Sequence, residues 1–142
     1  MIRKTGSAKW SGGLKDGKGE ISTQSGALTS QPYGFNTRFE DKPGTNPEEL
    51  IGAAHAGCFS MALSNILGES DLVADEIATK ATVMMDKGDA GFTITKIHLD
   101  VTATIPGATA EQFAEAAQTA KENCPVSKVL AGAEITMEAV LA

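Results

Sequence analysis

A long helix made almost entirely of small and apolar residues is predicted near the middle of the chain. Asn46 is a favourable N-cap, Pro47 suits the first helical position, and the two glutamates that follow complement the positive end of the helix dipole. Gly68 is a residue type at which helices commonly end. These signals predict a helix over residues 47–67.

The middle of this helix limits how it can pack. Residues 52–58 place small residues on every helix face, and no Asp, Glu, Lys or Arg occurs between Glu49 and Glu69. A helix without a polar face is buried all round, and small residues allow another backbone to approach closely. In a chain of 142 residues, a second subunit is one way to surround such a helix.

The other segments predict strands and a second helix. Residues 1–40 favour strand and turn, with hairpin signals at Gly12-Gly13 and Asp16-Gly17. Further strands are predicted at residues 77–86, 92–105 and 133–141. One face of the predicted strand at residues 92–105 consists of Thr93, Thr95, Ile97, Leu99, Val101, Ala103 and Ile105.

The second helix starts at Thr109, whose capping-box partner is Gln112. Its apolar stripe consists of Phe113, Ala116, Ala117, Ala120 and Cys124. Pro125 interrupts this pattern and opens a short helical turn through Leu130. Because most connections have hairpin length, we expect an α+β fold, organised as one domain over residues 1–142.

Charge and composition exclude several classes of protein. Lys and Arg number 12 against 18 Asp and Glu, for a net charge of −6. Since phosphate binding needs a cationic face, we expect no nucleic-acid partner. The first residues continue into polar, glycine-rich sequence without an apolar signal segment. No apolar run approaches the ~20 residues that a membrane helix needs, so we expect a cytoplasmic protein that spans no membrane.

Two cysteines, Cys58 and Cys124, are the candidates for chemistry. In a reducing compartment such a pair is reactive, or buried as two small hydrophobes, rather than a permanent structural disulfide. Cys58 lies in the middle of the small-residue helix. Burial there without a nearby cation would raise its pKa and make it inert, whereas an adjacent cation would make it a nucleophile.

The chain offers two arginines as that cation, Arg3 and Arg38. Arg38 lies between two phenylalanines, either at an exposed strand position or half-buried, where a carboxylate must orient it. Glu48, at the helix N-terminus, is a suitable carboxylate. For Glu49 we prefer the simpler interpretation of an acid that complements the helix dipole.

Three segments carry a resemblance to a known family. Residues 45–60, TNPEELIGAAHAGCFS, resemble the helix motif of the osmotically inducible protein C / organic hydroperoxide resistance (OsmC/Ohr) family, and residues 123–127, NCPVS, resemble its second cysteine motif. Residues 31–39, QPYGFNTRF, resemble the OsmC branch. The resemblance covers essentially the whole chain. It implies mostly antiparallel sheets around a long buried central helix, in an intertwined homodimer with active sites at the interface.

The same resemblance implies a thiol-dependent peroxidase that reduces organic, lipid-like hydroperoxides in oxidative or osmotic stress defence, without a cofactor or metal. Cys58 takes the position of the peroxidatic cysteine and Cys124 that of the resolving cysteine, while Arg38 and Glu48 take the positions of the arginine and glutamate. Arg3 is the alternative arginine, because the hydroperoxide resistance branch takes its arginine from nearer the N-terminus.

The expected cycle passes through a Cys58 sulfenic acid and a Cys58–Cys124 disulfide. An external dithiol of the lipoyl type then restores both thiols. Apolar residues expected near the sulfur would explain a preference for apolar peroxides; they are Phe35, Phe39, Ile51 and Met61.

Helix geometry bears on the origin of Glu48. At about 1.5 Å per residue, Glu48 and Cys58 on one straight helix are about 15 Å apart. A glutamate that orients an arginine in contact with Cys58 is hard to place on the same helix. We therefore expect Glu48 to serve the active site of the other subunit, unless the helix breaks between the two residues.

Three other functions are compatible with the same residues. His55 lies three residues before Cys58, so the pair could form the nucleophile of an acyl hydrolase, although no oxyanion-hole loop is evident. A metal could bind to Cys58, Cys124, His55 and His98, although no C-x-x-C or H-x-x-x-H pairing is present. The non-enzymatic alternative is a dimeric module that binds a small apolar ligand and retains the cysteines for structure.

Overall fold

The computed structural model describes all 142 residues. Its elements are, in chain order, β1 (Gly6–Ser11), β2 (Lys18–Thr23), β3 (Gln31–Tyr33), α1 (Phe35–Phe39), α2 (Pro47–Gly68), β4 (Glu76–Gly88), β5 (Gly91–Thr104), α3 (Ala110–Asn123), α4 (Pro125–Val129) and β6 (Glu134–Leu141). The strands form two three-stranded sheets, β1-β2-β3 and β4-β5-β6, which confirms the α+β class. The chain divides into two compact units, residues 1–50 and 51–142, and the single domain stays a prediction.

The first unit contains an antiparallel sheet followed by a short helix. β1 pairs with β2 from Gly6 opposite Thr23 to Ser11 opposite Lys18, and β2 also pairs with β3. The connecting turn contains Gly12 at a φ of 93°, a conformation that a side chain would strain. The predicted hairpin is therefore confirmed. The prediction of strand and turn throughout residues 1–40 is wrong for residues 35–39, which form α1.

α2 begins as predicted and buries one stripe. Asn46 Oδ1 accepts a hydrogen bond from Glu49 N at 2.8 Å, which is N-cap geometry, and the helix continues unbroken to its last residue, Gly68. Its buried residues are Gly52, His55, Phe59, Leu63 and Leu67. A Cβ on Gly52 would lie 3.2 Å from Ala81 O in β4, so a side chain there would require this strand to move by a few tenths of an ångström.

The opposite face of α2 is exposed in the single chain. It presents Ala53, Ala54, Gly57, Met61 and Ser64. Burial all round would need a second subunit and stays a prediction. α2 is also long and apolar enough to cross a membrane, by length and composition only, and this corrects the expectation that no segment reaches that length. The core helix of a soluble protein passes the same test.

β5 is the central strand of the second sheet. It pairs antiparallel with β4, with a bulge between Met84 and Met85, and parallel with β6. The parallel pairing needs a crossover connection, which α3 and α4 provide. The predicted alternation is confirmed where the strand is buried, at Ile97, Leu99, Val101 and Ala103 and at the following Ile105.

α3 and α4 meet at Cys124. The predicted capping box is confirmed, because Thr109 Oγ1 accepts from Gln112 N at 3.1 Å and Thr109 N donates to Gln112 Oε1 at 2.9 Å. α3 buries its predicted stripe, and Pro125 occupies the first turn of α4 with Cys124 as the N-cap. The core of the second unit combines these helices with β5 and the buried stripe of α2.

Candidate active site

Arg38 on α1 and Glu48 in the first turn of α2 form a bidentate ion pair. Glu48 Oε1 accepts from Arg38 Nη2 at 2.6 Å and from Nε at 3.0 Å, and Oε2 lies 3.1 Å from Nε. The side chain of Glu48 is 14% exposed and that of Arg38 is 37% exposed. A carboxylate bound in this way fixes the plane of the guanidinium.

Buried polar side chains tie the backbone around this ion pair. Thr37 Oγ1 accepts from Gly34 N at 2.8 Å and closes the first turn of α1. Asn46 Nδ2 donates to Thr37 O at 3.2 Å, while Asn46 Oδ1 caps α2. Both Thr37 and Asn46 are buried. Asn46 thus links α1 to the start of α2, and each of these helices carries one partner of the ion pair.

An aromatic pocket adjoins the guanidinium in the first unit. Its lining consists of Trp10, Leu14, Tyr33, Gly34, Phe35, Arg38, Phe39 and Pro47. The Phe35 and Phe39 ring centres are 4.9 Å apart, and Arg38 Cζ lies 5.3 Å from the Phe39 ring centre, within cation–π range. The pocket therefore combines apolar walls with one cationic side chain.

The two cysteines lie side by side in the second unit. Both are free thiols, with Cys58 half-buried and Cys124 buried. The Cys58 thiol interacts with the Cys124 thiol and with the backbone of Val126. Burial raises the pKa of Cys58, the hydrogen bond to the Val126 backbone opposes this rise, and the neighbouring Cys124 thiol adds to it. These effects together favour the neutral thiol over the thiolate in the single chain.

A buried polar chain continues from Cys124. Cys124 Sγ donates to Ser127 Oγ at 3.0 Å, and Ser127 N donates to Cys124 Sγ at 3.3 Å. Ser127 Oγ also lies 2.7 Å from His55 Nε2, whereas His55 Nδ1 has no hydrogen-bond partner. Burial lowers the pKa of His55, which keeps the imidazole neutral.

Residues 39–139 match the sequence model of the family described as OsmC-like protein. The chain belongs to the OsmC-like family. It is 58% identical over 137 residues to peroxiredoxin OsmC of Escherichia coli K12, across 96% of this chain and 95% of that protein. It is 33% identical over 115 residues to the organic hydroperoxide resistance protein OhrB of Bacillus subtilis, across 80% of this chain and 82% of that protein.

Solved structures share the fold of this OsmC-like chain. The crystal structure of OhrB from Bacillus subtilis has a TM-score of 0.68 at 26% identity and covers 97% of this chain and 98% of its own. An OsmC-like protein of unknown function from Vibrio cholerae has a TM-score of 0.78 at 17% identity, over 99% and 100% of the two chains. The OsmC/Ohr-like fold expected from the sequence motifs is thereby confirmed.

The four predicted site residues of the OsmC-like chain form two pairs. Arg38 and Glu48 pair within the first unit, and Cys58 and Cys124 adjoin within the second. Arg38 is not on a strand, because residues 35–39 are helical, and the expectation that Glu48 orients it is met by the ion pair. The catalytic roles of the four residues stay predictions. Arg3 is exposed ahead of β1.

Two alternative sites are not assembled in the structure. Neither ring nitrogen of His55 bonds to Cys58, because Nε2 contacts Ser127 Oγ and Nδ1 has no partner, so the dyad of an acyl hydrolase is absent. The cluster of metal-ligating side chains that the chain does contain is His98, Asp100 and Glu138, which includes neither cysteine.

Sequence reasoning missed Ser127 and much of the pocket. Ser127 lies three residues after Cys124 with proline between them, a spacing typical of a helix start, and this was the available signal. Its contact with His55 spans 72 residues, for which no local pattern exists. Among the apolar residues expected near the sulfur, Phe35 and Phe39 line the aromatic pocket of the first unit. Ile51 packs against the core of the second unit, and Met61 is 77% exposed.

Proposed function

We propose that this OsmC-like chain is a thiol-dependent peroxidase that reduces organic, lipid-like hydroperoxides to alcohols. The observation that carries the proposal is the adjacency of two free thiols, one half-buried and one buried. Relatives named peroxiredoxin and organic hydroperoxide resistance protein support the same reaction class.

The first step is a two-electron oxidation of Cys58. Its thiolate attacks the outer oxygen of the hydroperoxide, the O–O bond breaks, and the alkoxide leaves and takes up a proton to become the alcohol. Cys58 then carries a sulfenic acid. A cation at this position stabilises both the thiolate and the charge that develops on the departing oxygen.

The second step uses Cys124. Its sulfur attacks the Cys58 sulfur, the S–O bond breaks, and the products are water and a Cys58–Cys124 disulfide. The prompt closure protects Cys58 from irreversible further oxidation. The chain supplies no electrons to reopen the disulfide, so an external dithiol of the lipoyl type restores the two thiols and completes the cycle.

Arg38 of the partner subunit activates Cys58. Burial raises the pKa of the Cys58 thiol, so a thiolate at neutral pH needs a cation close by. Arg38 is already oriented by Glu48 of its own chain. α2 is unbroken between Glu48 and Cys58, and ten residues of helix correspond to about 15 Å. An active site at a dimer interface, with Arg38 and Glu48 from one subunit and the cysteines from the other, removes this separation.

A homodimer also accounts for the exposed face of α2. Ala53, Ala54, Gly57 and Met61 present a small, apolar surface with no charged side chain. A Cβ built on Gly57 meets nothing within 4 Å, so this position is open in the single chain. The backbone of a partner subunit, from its α2 or its first unit, could therefore pack closely against the helix at Gly57.

The aromatic pocket is suited to the apolar part of the substrate. Its walls, formed by Trp10, Tyr33, Phe35 and Phe39, adjoin the guanidinium that we place beside the reacting oxygens. An alkyl or acyl chain gains about 25 cal/mol for each Å² of apolar surface that it buries there. The reaction belongs to oxidative or osmotic stress defence in the cytoplasm, where the surroundings keep the thiols reduced between turnovers.

The deciding experiment is a single turnover of the wild type, Cys58→Ser and Cys124→Ser with an organic hydroperoxide, followed by thiol counting and intact-mass analysis. The wild type should lose both thiols and form an intramolecular disulfide. Cys58→Ser should consume no peroxide, and Cys124→Ser should complete one oxidation and then overoxidise. Binding of a small apolar ligand that both substitutions leave intact would instead indicate a non-enzymatic binding module. Thioester hydrolysis that needs no peroxide would indicate an acyl hydrolase.

A further inference from the structure

A short chain of polar groups crosses the otherwise apolar core of the second unit. It runs from Cys124 Sγ to Ser127 Oγ at 3.0 Å and on to His55 Nε2 at 2.7 Å. The three residues are 1%, 4% and 0% exposed, respectively. They come from the helix that carries Cys58 and from the junction of α3 and α4, so the chain leads directly from one of the two thiols to a buried imidazole.

With the Cys124 thiol as donor, one arrangement of the hydrogens gives the serine hydroxyl proton an acceptor. The Cys124 S–H donates to Ser127 Oγ, so the single proton of the serine hydroxyl is free to donate elsewhere. His55 Nε2 is the acceptor within reach. The imidazole proton is then on Nδ1, the nitrogen that has no partner, and Nε2 presents a lone pair toward the serine.

A structural role alone does not explain this histidine. A fully buried ring nitrogen without a partner costs about 1–3 kcal/mol, which an apolar side chain of similar size would avoid. The position instead holds the one neutral base in contact with Ser127. Burial lowers the pKa of His55, so its lone pair is available at neutral pH.

We propose that Ser127 and His55 accept the proton of Cys124 when this cysteine closes the disulfide, an inference that rests on the peroxidase function proposed above. Ser127 touches the reacting sulfur, and His55 acts through Ser127. The Cys124 proton passes to Ser127 Oγ as the hydroxyl proton passes to His55 Nε2, and the sulfur gains nucleophilic electron density.

The atoms and electrons of this step balance without another reagent. Cys124 sulfur supplies the electron pair of the new S–S bond and is oxidised, while Cys58 sulfur is reduced as its S–O bond breaks. The hydroxide that leaves takes back the proton from His55 through Ser127 and departs as water. Both side chains return to their starting protonation states.

Few other titratable groups lie near the hydrogen-bonded side chains of Cys124, Ser127 and His55. Cys58 faces these side chains from α2. Lys121 and Glu122 of α3 and Lys128 of α4 line, with Ser127, a depression at the surface of the unit. The three charged side chains are present in every variant used below, so they contribute equally to each pH profile.

The test measures the two half-reactions separately in the full-length protein. Ser127→Ala removes the hydroxyl with little change in volume. His55→Gln keeps an acceptor for the serine hydroxyl but removes the base. Rapid mixing with an organic hydroperoxide, acid quenching and mass analysis then give the rate of Cys58 oxidation and the rate of disulfide closure, each over a range of pH.

We expect both variants to oxidise Cys58 within about twofold of the wild-type rate and to close the disulfide at least about tenfold more slowly at neutral pH, as for loss of a general base. Overoxidised Cys58 should accumulate. Closure in Ser127→Ala should recover as the pH rises, because hydroxide then removes the thiol proton. An unchanged Cys58 oxidation rate serves as the control for folding, and Ser127→Ala decides alone if His55→Gln does not fold.

Two results would overturn the inference. One is disulfide closure at the wild-type rate in Ser127→Ala. The other is a slowing that is the same at every pH, which would mean that the side chains only position Cys124. Failure of the proposed function itself is distinguishable, because the wild type would then form no Cys58–Cys124 disulfide before any variant is compared.

Discussion

Replacement of Arg38 by methionine tests whether its guanidinium activates Cys58. Methionine keeps most of the apolar stem but removes the guanidinium and its three hydrogen bonds to Glu48. A nearby opposite charge changes a pKa by about 1–3, so its loss reduces the thiolate fraction at neutral pH by about 10- to 1,000-fold. Within its own unit the pKa of Cys58 is raised by burial despite the opposing hydrogen bond to the Val126 backbone, so that bond does not replace the guanidinium.

The rate of Cys58 oxidation in Arg38→Met should therefore fall at least about tenfold at neutral pH and rise with pH as the thiolate forms. Arg38→Lys is the matched control. It keeps the positive charge but cannot bind Glu48 with the same fork, so its rate should lie between those of the wild type and Arg38→Met.

Mixing two inactive variants then determines which subunit supplies the arginine. When Arg38→Met and Cys58→Ser subunits are exchanged at random, half of the dimers are mixed. A composite site gives each mixed dimer one complete active site, so activity should return to about a quarter of the wild-type value. Two differently tagged wild-type preparations, captured together after exchange, show that mixed dimers have formed.

Two outcomes contradict this reasoning. If tagged subunits exchange but activity does not return, each Arg38 serves the cysteine of its own chain. If Arg38→Met oxidises Cys58 at the wild-type rate, the guanidinium does not stabilise the thiolate at all.

Three further substitutions test the surroundings of the site. Asn46→Ala removes both the α2 cap and the link to α1, and urea unfolding should show a loss of about 1–2 kcal/mol with slower Cys58 oxidation; unchanged stability would contradict the link. Gly57→Leu should shift the protein toward monomer in sedimentation experiments while its circular dichroism is retained, and an intact dimer would place the interface elsewhere. Phe39→Ala should lower kcat/KM about tenfold for a long-chain hydroperoxide but little for hydrogen peroxide, whereas equal losses would argue against an apolar subsite.

Elements with local signals were predictable from the sequence. The start of α2 depends on Asn46 and the residues directly after it, and the capping box of α3 depends on Thr109 and Gln112. The face of β5 follows from strict alternation. In each case the interacting groups are neighbours in the chain, so the pattern carries the information.

Elements that depend on distant partners were not predictable. α1 has only five residues, and the carbonyl of its central residue, Thr37, is bound by Asn46, which comes later in the chain. The parallel pairing of β6 with β5 requires the crossover through α3 and α4, and the apolar alternation of β6 is the same in either direction. The contact between Ser127 and His55 appears only after α2 and α4 are packed together.

The site was predictable in its residues but not in its arrangement. The motifs identified Arg38, Glu48, Cys58 and Cys124, and the ion pair and the adjacent thiols group them two by two. The absence of a charged face between Glu49 and Glu69 predicted burial around the whole circumference of α2. The structure shows a buried stripe and an exposed stripe, because the single chain covers one side of the helix.

The sulfur of Cys124 is a structural atom of α4 as well as the proposed resolving thiol. As the N-cap it accepts the amide proton of Ser127, and as a thiol it donates to the hydroxyl of the same residue. In the proposed cycle, disulfide formation would remove that donor, so each turnover would disturb and rebuild the first turn of α4. Amide hydrogen exchange at Ser127 should therefore differ between the reduced and oxidised forms, which makes the backbone a reporter of redox state.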